Sequence, residues 1–409
     1  MEALVKKYAN KLFSAGLAEG TGPLSPIVGG LDDTLVWNRT GPEIKVLEQV
    51  FQNLNINSLV FLRPKAPYEP IIRYLAQKAL DTHGLIEPKD CETRTFLHDL
   101  PVIGRFSADK IVAALKKRKS VIIAVPADEP EFSGIAVIAH GTVSPEQGFV
   151  VASSVCFACF VKFFADYLED LQLGRANKES NDLFDGLLPD IFLGQPGLPD
   201  LAKGPFSTEE QLYAAIVQAG RKTVEYGLVD SYFGNISYCH NHILYISQTG
   251  SSLDELEGCI DPVRLDGSSS AALTASSELT AHIQTIAQTG CRAILHGHPK
   301  FSVILSMACD PAEKAACRHR DHCHTRCPQK RAIGRVPIVP GEVGTGPTGL
   351  CNTLPPAFGT SNHAIVYGHG VFTLGMNDFS QAFATLLEVE TACRKTYCDK
   401  VRQLRSHLS

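Results

Sequence analysis

Two histidines separated by one residue, His296 and His298, close the apolar run Ala293-Ile294-Leu295, which reads as a short buried strand. On a strand, residues i and i+2 project from the same face, so both imidazoles reach one ion. Gly297 between them leaves room for close approach. A third histidine, His369, lies between Gly368 and Gly370 at the end of another apolar run, Ala364 to Tyr367. Three imidazoles with an open position describe a catalytic site of the zinc type rather than a structural one. Imidazole suits zinc and other late first-row divalent ions. A lone His-x-His-Pro also fits an ordinary core strand; the third histidine, and Glu278 on the preceding helix, weigh toward a metal.

These side chains need elements to hold them. Ser277 is placed to cap a helix beginning at Glu278, with Leu279, His282, Ile283 and Ile286 on its inner face and Gly290 at its end. The strand through His296 and His298 follows, then a helical stretch from Phe301 to Met307, while Asp378 or Ser380 is set to cap the last helix. The first half repeats this order. Glu43 opens a helix with Leu47, Val50, Phe51 and Leu54 inward, followed by the strand Leu59-Val60-Phe61, Pro64, and a helical Tyr68 to Leu75. Glu43 to Pro64 and Glu278 to Pro299 are both 21 residues apart. Farther on, Ile135 to Ala139 runs into His140-Gly141, as Ala364 to Tyr367 runs into Gly368-His369-Gly370. The chain reads as a tandem duplication. Domains are expected at 1–173 and 207–409, joined by a linker at 174–206 rich in Pro, Gly, Asn and Asp.

The ordered stretches Gly234-Asn235-Ile236-Ser237, Thr249-Gly250, Ser276-Ser277-Glu278, His296-Gly297-His298-Pro299 and Gly368-His369-Gly370 resemble the motifs of the class II aldolase/adducin family, whose best-known enzyme is L-fuculose-1-phosphate aldolase. The resemblance covers roughly Phe206 to Tyr397 and implies a three-layer α/β/α fold. It implies that His296, His298 and His369 bind a divalent metal, zinc first, and that Glu278 is both a ligand of the resting metal and the catalytic acid/base. It also implies a substrate phosphate held by Gly234, Asn235, Thr249, Gly250, Ser276 and Ser277. Small residues that expose backbone N–H groups, and serines at a helix N-terminus, suit an anion, although Ser277 as a helix cap is an equally good reading. The implied function is a metal-dependent aldehyde-lyase acting by aldol cleavage or formation on a small phosphorylated sugar or ketose. Dehydration or epimerisation of a sugar phosphate could use the same parts. A metabolite-binding or scaffold protein without turnover is the third reading, and retention of Glu278 argues against it. Family enzymes assemble as tetramers, so a homo-oligomer is expected, either a tetramer or a dimer of two-domain chains.

Two segments depart from the family pattern. Cys309, Cys317, Cys323 and Cys327 lie in a Cys/His-rich insertion at about 309–331, with His319, His322 and His324 among them. They are candidates for a second zinc or an iron–sulfur cluster; the alternatives are a basic exposed loop with incidental thiols, or one whose arginines frame an anionic substrate. The Gly-rich stretch from Val336 to Phe358, with Glu342 in it, is a candidate active-site loop that does not match a P-loop. In the first half, Phe61 and Arg63 stand where His296 and His298 stand in the second. Only Glu43 and His140 remain from the set, so that half is expected to bind no metal.

Composition sets the outer bounds. The 409 residues, 44% hydrophobic and 20% charged, suit two ordinary globular domains. A net charge of -5 gives no reason to expect nucleic acid. The N-terminus lacks the apolar stretch of a signal peptide, and no continuous apolar run suggests a membrane span, so a cytoplasmic location is expected. Thirteen cysteines, an odd number, then read as reduced thiols or metal ligands rather than disulfides.

Overall fold

The structure, a computed structural model, describes residues 1–126, 132–191, 197–230, 232–268, 270–359 and 361–408. The chain divides into two compact units, Met1–Tyr167 with Ala176–Gly194, and Leu168–Arg175 with Gln195–Ser409.

Unit 1 contains α1 (Glu2–Ser14), β1 (Ile27–Leu31), β2 (Leu35–Trp37), α2 (Ile44–Asn53), β3 (Ser58–Leu62), α3 (Tyr68–Leu80) and β4 (Leu85–Ile86). It continues with α4 (Cys91–Leu97), β5 (Leu100–Ile103), α5 (Ala108–Leu115), β6 (Ser120–Val125), β7 (Gly134–Gly141), α6 (Pro145–Gln172), which it holds as far as Tyr167, and α7 (Lys178–Ile191). The sheet order is β2-β1-β3-β7-β6-β5-β4. The interior strand β3, Ser-Leu-Val-Phe-Leu, is buried throughout, as a strand covered on both faces must be. The core joins Leu47 and Val50 of α2 and Ile111 of α5 to Phe61 and Ile138 of the sheet.

Unit 2 contains α8 (Glu209–Glu225), β8 (Asn235–His240), β9 (Ile243–Ser247), β10 (Ile260–Arg264), α9 (Leu279–Thr289), β11 (Ala293–Gly297) and α10 (Lys300–Met307). After these come α11 (Pro311–Ala316), β12 (Arg331–Ile333), β13 (Val336–Val339), α12 (Leu350–Thr353), β14 (His363–Val366), β15 (Gly370–Gly375) and α13 (Phe379–Leu408). Its sheet runs β10-β9-β8-β11-β15-β14-β13-β12. Ala281 and Ile286 of α9 pack with Leu244, Ile294 and Phe372 of the sheet.

With the edge strand β10 set aside, the two sheets have one topology. Each places its third strand in chain order inside the sheet, between the first and last strands. Each has one parallel pair, β5–β6 in one and β13–β14 in the other, and every other neighbour pair is antiparallel. This is a mixed α/β architecture used twice.

Several local readings shift once the elements are seen. Helix α9 begins at Leu279 with Glu278 at the N-cap, and α2 begins at Ile44 with Glu43 at the N-cap. Ser277 is therefore not the cap. It is exposed, and the hydroxyl that accepts the Glu278 N–H, at 3.3 Å, belongs to Ser276. Gly290 ends α9 at φ +70°, a left-handed position that glycine adopts without penalty. At the last helix Asp378 accepts the Ser380 N–H at 2.8 Å.

The expected linker contains α7, whose Phe184, Leu187 and Ile191 are buried and whose Phe184 ring stacks on Tyr167 at 4.9 Å; residues 192–196 of that stretch lie outside the described residues. Among the described helices α6 alone has the length and composition to cross a membrane, and 83% of its apolar window is buried. All thirteen cysteines are free thiols.

Candidate metal centre

The local sequence explains how the histidines are presented. On β11, His296 pairs with Phe372 of β15 on one side and Asn235 of β8 on the other. His298 follows where the chain leaves the strand, and Pro299 ends ladder pairing before α10. His369 sits in the tight turn between β14 and β15, where Gly368 has φ +58° and gives its N–H to the Ser306 hydroxyl at 2.8 Å. Gly370 is required by space: a Cβ there would stand 2.4 Å from the Gly297 carbonyl oxygen and within 2.9 Å of the imidazoles of His296 and His298. Gly234 has φ +104°, and a Cβ on it would meet the His296 carbonyl oxygen at 2.5 Å.

The structure brings the three predicted histidines together. One ligand atom from each of His296, His298 and His369 lies within 4.8 Å of the others, and all three residues are buried. The Nε2 atoms of His296 and His298 are 2.9 Å apart. Phe372 stacks on His296 at 3.8 Å and Phe233 on His298 at 5.6 Å, which leaves little room for water around the rings. Glu278 reaches the same point from the N-terminus of α9. Its Oε1 is 3.0 Å from His369 Nε2 and its Oε2 is 3.6 Å from His296 Nε2.

Behind the carboxylate lies a run of buried hydrogen bonds that the sequence did not reveal. Asn235 Nδ2 donates to Glu278 Oε2 at 2.6 Å. Asn235 Oδ1 is 2.6 Å from His282 Nε2, and His282 Nδ1 is 2.7 Å from the Ser237 hydroxyl. His282 was legible only as an inward-facing residue of the helix. The available signal was its position one turn after Glu278, on the same face.

Electrostatics follows from burial and neighbours. Burial opposes ionisation of Glu278, yet the charge of His296, the hydrogen bond and charge of His369, and the Asn235 amide hold its carboxyl well below the usual carboxylate range. Burial, then His296 and His369, push His298 well below the ordinary imidazole value. Burial lowers His282 to about 4, so it is neutral near pH 7.

This donor set fits a divalent cation. His296 Nδ1 lies 3.1 Å from the Val371 carbonyl oxygen; donating there fixes the tautomer and leaves the Nε2 lone pair facing the other imidazoles. Burial keeps His298 neutral, and neutral imidazole is the form that ligates metal. An acceptor-only carboxylate completes the cluster.

The residues expected around a phosphate are only partly available. A bridge between Gln248 and Ala275 sets the Thr249-Gly250 segment beside Ser276. Thr249, however, gives its N–H to the Thr274 carbonyl at 3.0 Å and its hydroxyl to the Ala275 carbonyl at 2.8 Å, and the Ser276 N–H goes to Ser247. Gly250 takes φ +73° in the turn, and Ser277 is exposed. The Asn235 side chain faces Glu278 and His282.

Among the described residues, the three histidines form a group whose ligand atoms meet within 4.8 Å. In the cysteine insertion, Cys323 and Cys327 are among the neighbours whose charge acts on Cys309, and Cys327 and Cys317 act on Cys323, so the four thiols share one neighbourhood. All four are half-buried, and Cys323 Sγ lies 3.4 Å from the Arg320 carbonyl oxygen. Glu342 in the Gly-rich segment is half-exposed, 3.9 Å from His324.

In unit 1 the strand equivalent to β11 is β3. Arg63, the counterpart of His298, points its guanidinium at Glu43, the counterpart of Glu278, at 3.6 Å. It donates to the Ser133 carbonyl at 3.0 Å and lies 4.3 Å over the Phe132 ring. The parallel drawn between His140 and His369 does not survive the register. His140 pairs with Leu59 near the end of β7, which corresponds to Leu374 on β15, whereas His369 precedes β15. Strand-to-glycine rhythm looks alike at both ends of a strand, and only pairing tells them apart.

A family model described as the Class II Aldolase and Adducin N-terminal domain matches residues 214–397. No curated protein sequence matches the chain. Among solved structures, L-fuculose-1-phosphate aldolase from Thermus thermophilus is 21% identical with a TM-score of 0.38, over 48% of this chain and 98% of that one. A sugar-phosphate aldolase from Thermotoga maritima is 14% identical with a TM-score of 0.33, over 48% and 96%. L-fuculose 1-phosphate aldolase from Glaciozyma antarctica is 16% identical with a TM-score of 0.33, over 51% and 78%.

Proposed function

We propose, from the membership of residues 214–397 in the class II aldolase and adducin family, that unit 2 is a metal-dependent lyase acting by aldol cleavage or formation on a small phosphorylated sugar or ketose. His296, His298 and His369 hold the divalent ion, zinc before others because the ligands are imidazoles. The observation that carries the reading is the buried cluster of three imidazoles, two of which lie within 3.6 Å of one carboxylate. Three imidazoles leave a position open on the ion, as a catalytic site requires, and Glu278 beside them supplies the acid/base.

When bound, a divalent ion would polarise the substrate carbonyl and its adjacent oxygen and stabilise the negative charge that develops on them. This chain's residues do the rest. Glu278 accepts a proton from the substrate and returns one to it. The Asn235 amide keeps one carboxylate oxygen oriented. The rings of Phe372 and Phe233 limit water around the imidazoles. The substrate phosphate lies toward Gly234, Gly250 and Ser277, with Asn235, Thr249 and Ser276 shaping that wall. A sugar-phosphate dehydratase or epimerase would use the same centre and is separated from a lyase by its products. A cytoplasmic, homo-oligomeric enzyme belongs to the same reading.

Elemental analysis of the purified protein tests this first. About one zinc-like ion per chain, lost in His298→Ala with the circular dichroism spectrum unchanged, is the expected result. Absence of metal after reconstitution would shift the reading to a metabolite-binding or scaffold protein.

A further inference from the structure

The run of hydrogen bonds behind Glu278 has a direction, and chemistry fixes it. A carboxylate only accepts, so the Asn235 atom facing Glu278 Oε2 at 2.6 Å is the Nδ2 donor. Its other end, Oδ1, then faces His282, and the contact at 2.6 Å requires Nε2 of that imidazole to carry the proton. In neutral His282 this leaves Nδ1 as an acceptor, and the Ser237 hydroxyl at 2.7 Å donates to it. Every member is buried: Ser237 and His282 at 0% and 1% exposure, Asn235 and Glu278 at 6% and 3%. With Glu278 ionised and His282 neutral, no other assignment leaves each pair with one donor and one acceptor. Turning the Asn235 amide over would set two acceptors against each other at Glu278 and two donors against each other at His282, so both neighbours hold it in place.

We infer that His282 is a positioning residue: through Asn235 it holds the Glu278 carboxylate turned toward the face shared by His296, His298 and His369. The inference rests on the reading of that cluster as a metal centre. It adds to it the means by which the acid/base is aimed. Asn235 Oδ1 sets the His282 tautomer and the Ser237 hydroxyl on β8 caps its Nδ1, so a strand and a helix jointly fix one carboxylate rotamer in a buried polar run that works only when every link is made.

Cobalt(II) provides a test independent of any substrate, because its visible d–d bands report the ligands around the ion. The wild type, His282→Leu, His282→Gln, Glu278→Gln, the Glu278→Gln/His282→Leu double variant and His298→Ala would each be titrated with Co2+. The expected result is that His282→Leu, which fills the site without hydrogen bonding, weakens Co2+ binding about ten-fold and moves the spectrum toward that of Glu278→Gln. The double variant should match Glu278→Gln alone, and His282→Gln, whose amide can donate and accept, should keep the wild-type bands. Should His282→Leu fail to fold, Ser237→Ala should move the spectrum in the same direction by a smaller amount.

A wild-type spectrum and affinity in His282→Leu, or in Ser237→Ala when that stands in for it, while Glu278→Gln differs, would overturn the inference alone. So would changes that add in the double variant, which mark a packing role. No Co2+ uptake by the wild type, or undiminished uptake by His298→Ala, would overturn the metal-centre reading and this inference with it.

Discussion

Replacing Arg63 by Met in unit 1 should be strongly destabilising although the residue lies outside the candidate metal centre. The substitution keeps most of the aliphatic stem and deletes the guanidinium. Glu43 then remains 6% exposed, with Oε1 stripped of its partner at 3.6 Å and Oε2 already without a hydrogen bond. At an effective dielectric of about 20, a pair at this distance attracts by roughly 4 to 5 kcal/mol. The hydrogen bond to the Ser133 carbonyl and the contact with the Phe132 ring add about 1 kcal/mol each. Arg39, which also feels the Glu43 charge, and the water that reaches the partly exposed Arg63 side chain take some of this back. A loss of about 3 kcal/mol is expected, the scale of breaking a buried pair from one side. Trp37, the single tryptophan, lies on β2 against Phe51 in the same unit, so its fluorescence follows unit 1 in a urea titration. With a slope of about 2 kcal/mol per molar urea, the midpoint should fall by roughly 1.5 M. The Glu43→Gln/Arg63→Met double variant should recover most of that loss. A shift worth under about 1 kcal/mol, or a double variant no better than the single one, would refute the view that Arg63 neutralises a buried carboxylate.

The other predictions concern unit 2. His298→Ala should abolish turnover and metal content while the fold persists, checked by elemental analysis beside circular dichroism. Glu278→Gln should retain about one metal ion per chain and lose roughly 10²- to 10⁴-fold in kcat, the usual scale for removing an acid/base; full activity would contradict its role. Gly370→Ala should cost about 1 to 3 kcal/mol and weaken metal binding, because the new methyl group collides with the Gly297 carbonyl and with the imidazoles of His296 and His298. Thermal unfolding and a metal titration on the same sample would show both effects.

The three histidines were legible because an i, i+2 pair on a strand converges whatever the rest of the chain does, and because His369 sits between glycines that mark a tight turn. The repeat was legible because equal spacing from Glu43 to Pro64 and from Glu278 to Pro299 is a property of the chain itself. Capping was misjudged by one residue: Ser276, Ser277 and Glu278 are all plausible there, and only backbone geometry chooses among them. His140 was misaligned because a histidine-glycine pair can stand at either end of a strand.

What the sequence by itself determined is the order of elements, the α/β class used twice, and which residue types are available for a metal. Those follow from local periodicity, turn chemistry and spacing, which act over a few residues. What only the tertiary structure decided is which groups face each other across strands and helices. It turned Asn235 toward Glu278 and His282, spent the Thr249 donors on backbone carbonyls, and aimed Arg63 at Glu43. Such pairings join residues tens of positions apart, and their geometry comes from strand register and helix packing rather than from any property of the neighbouring sequence.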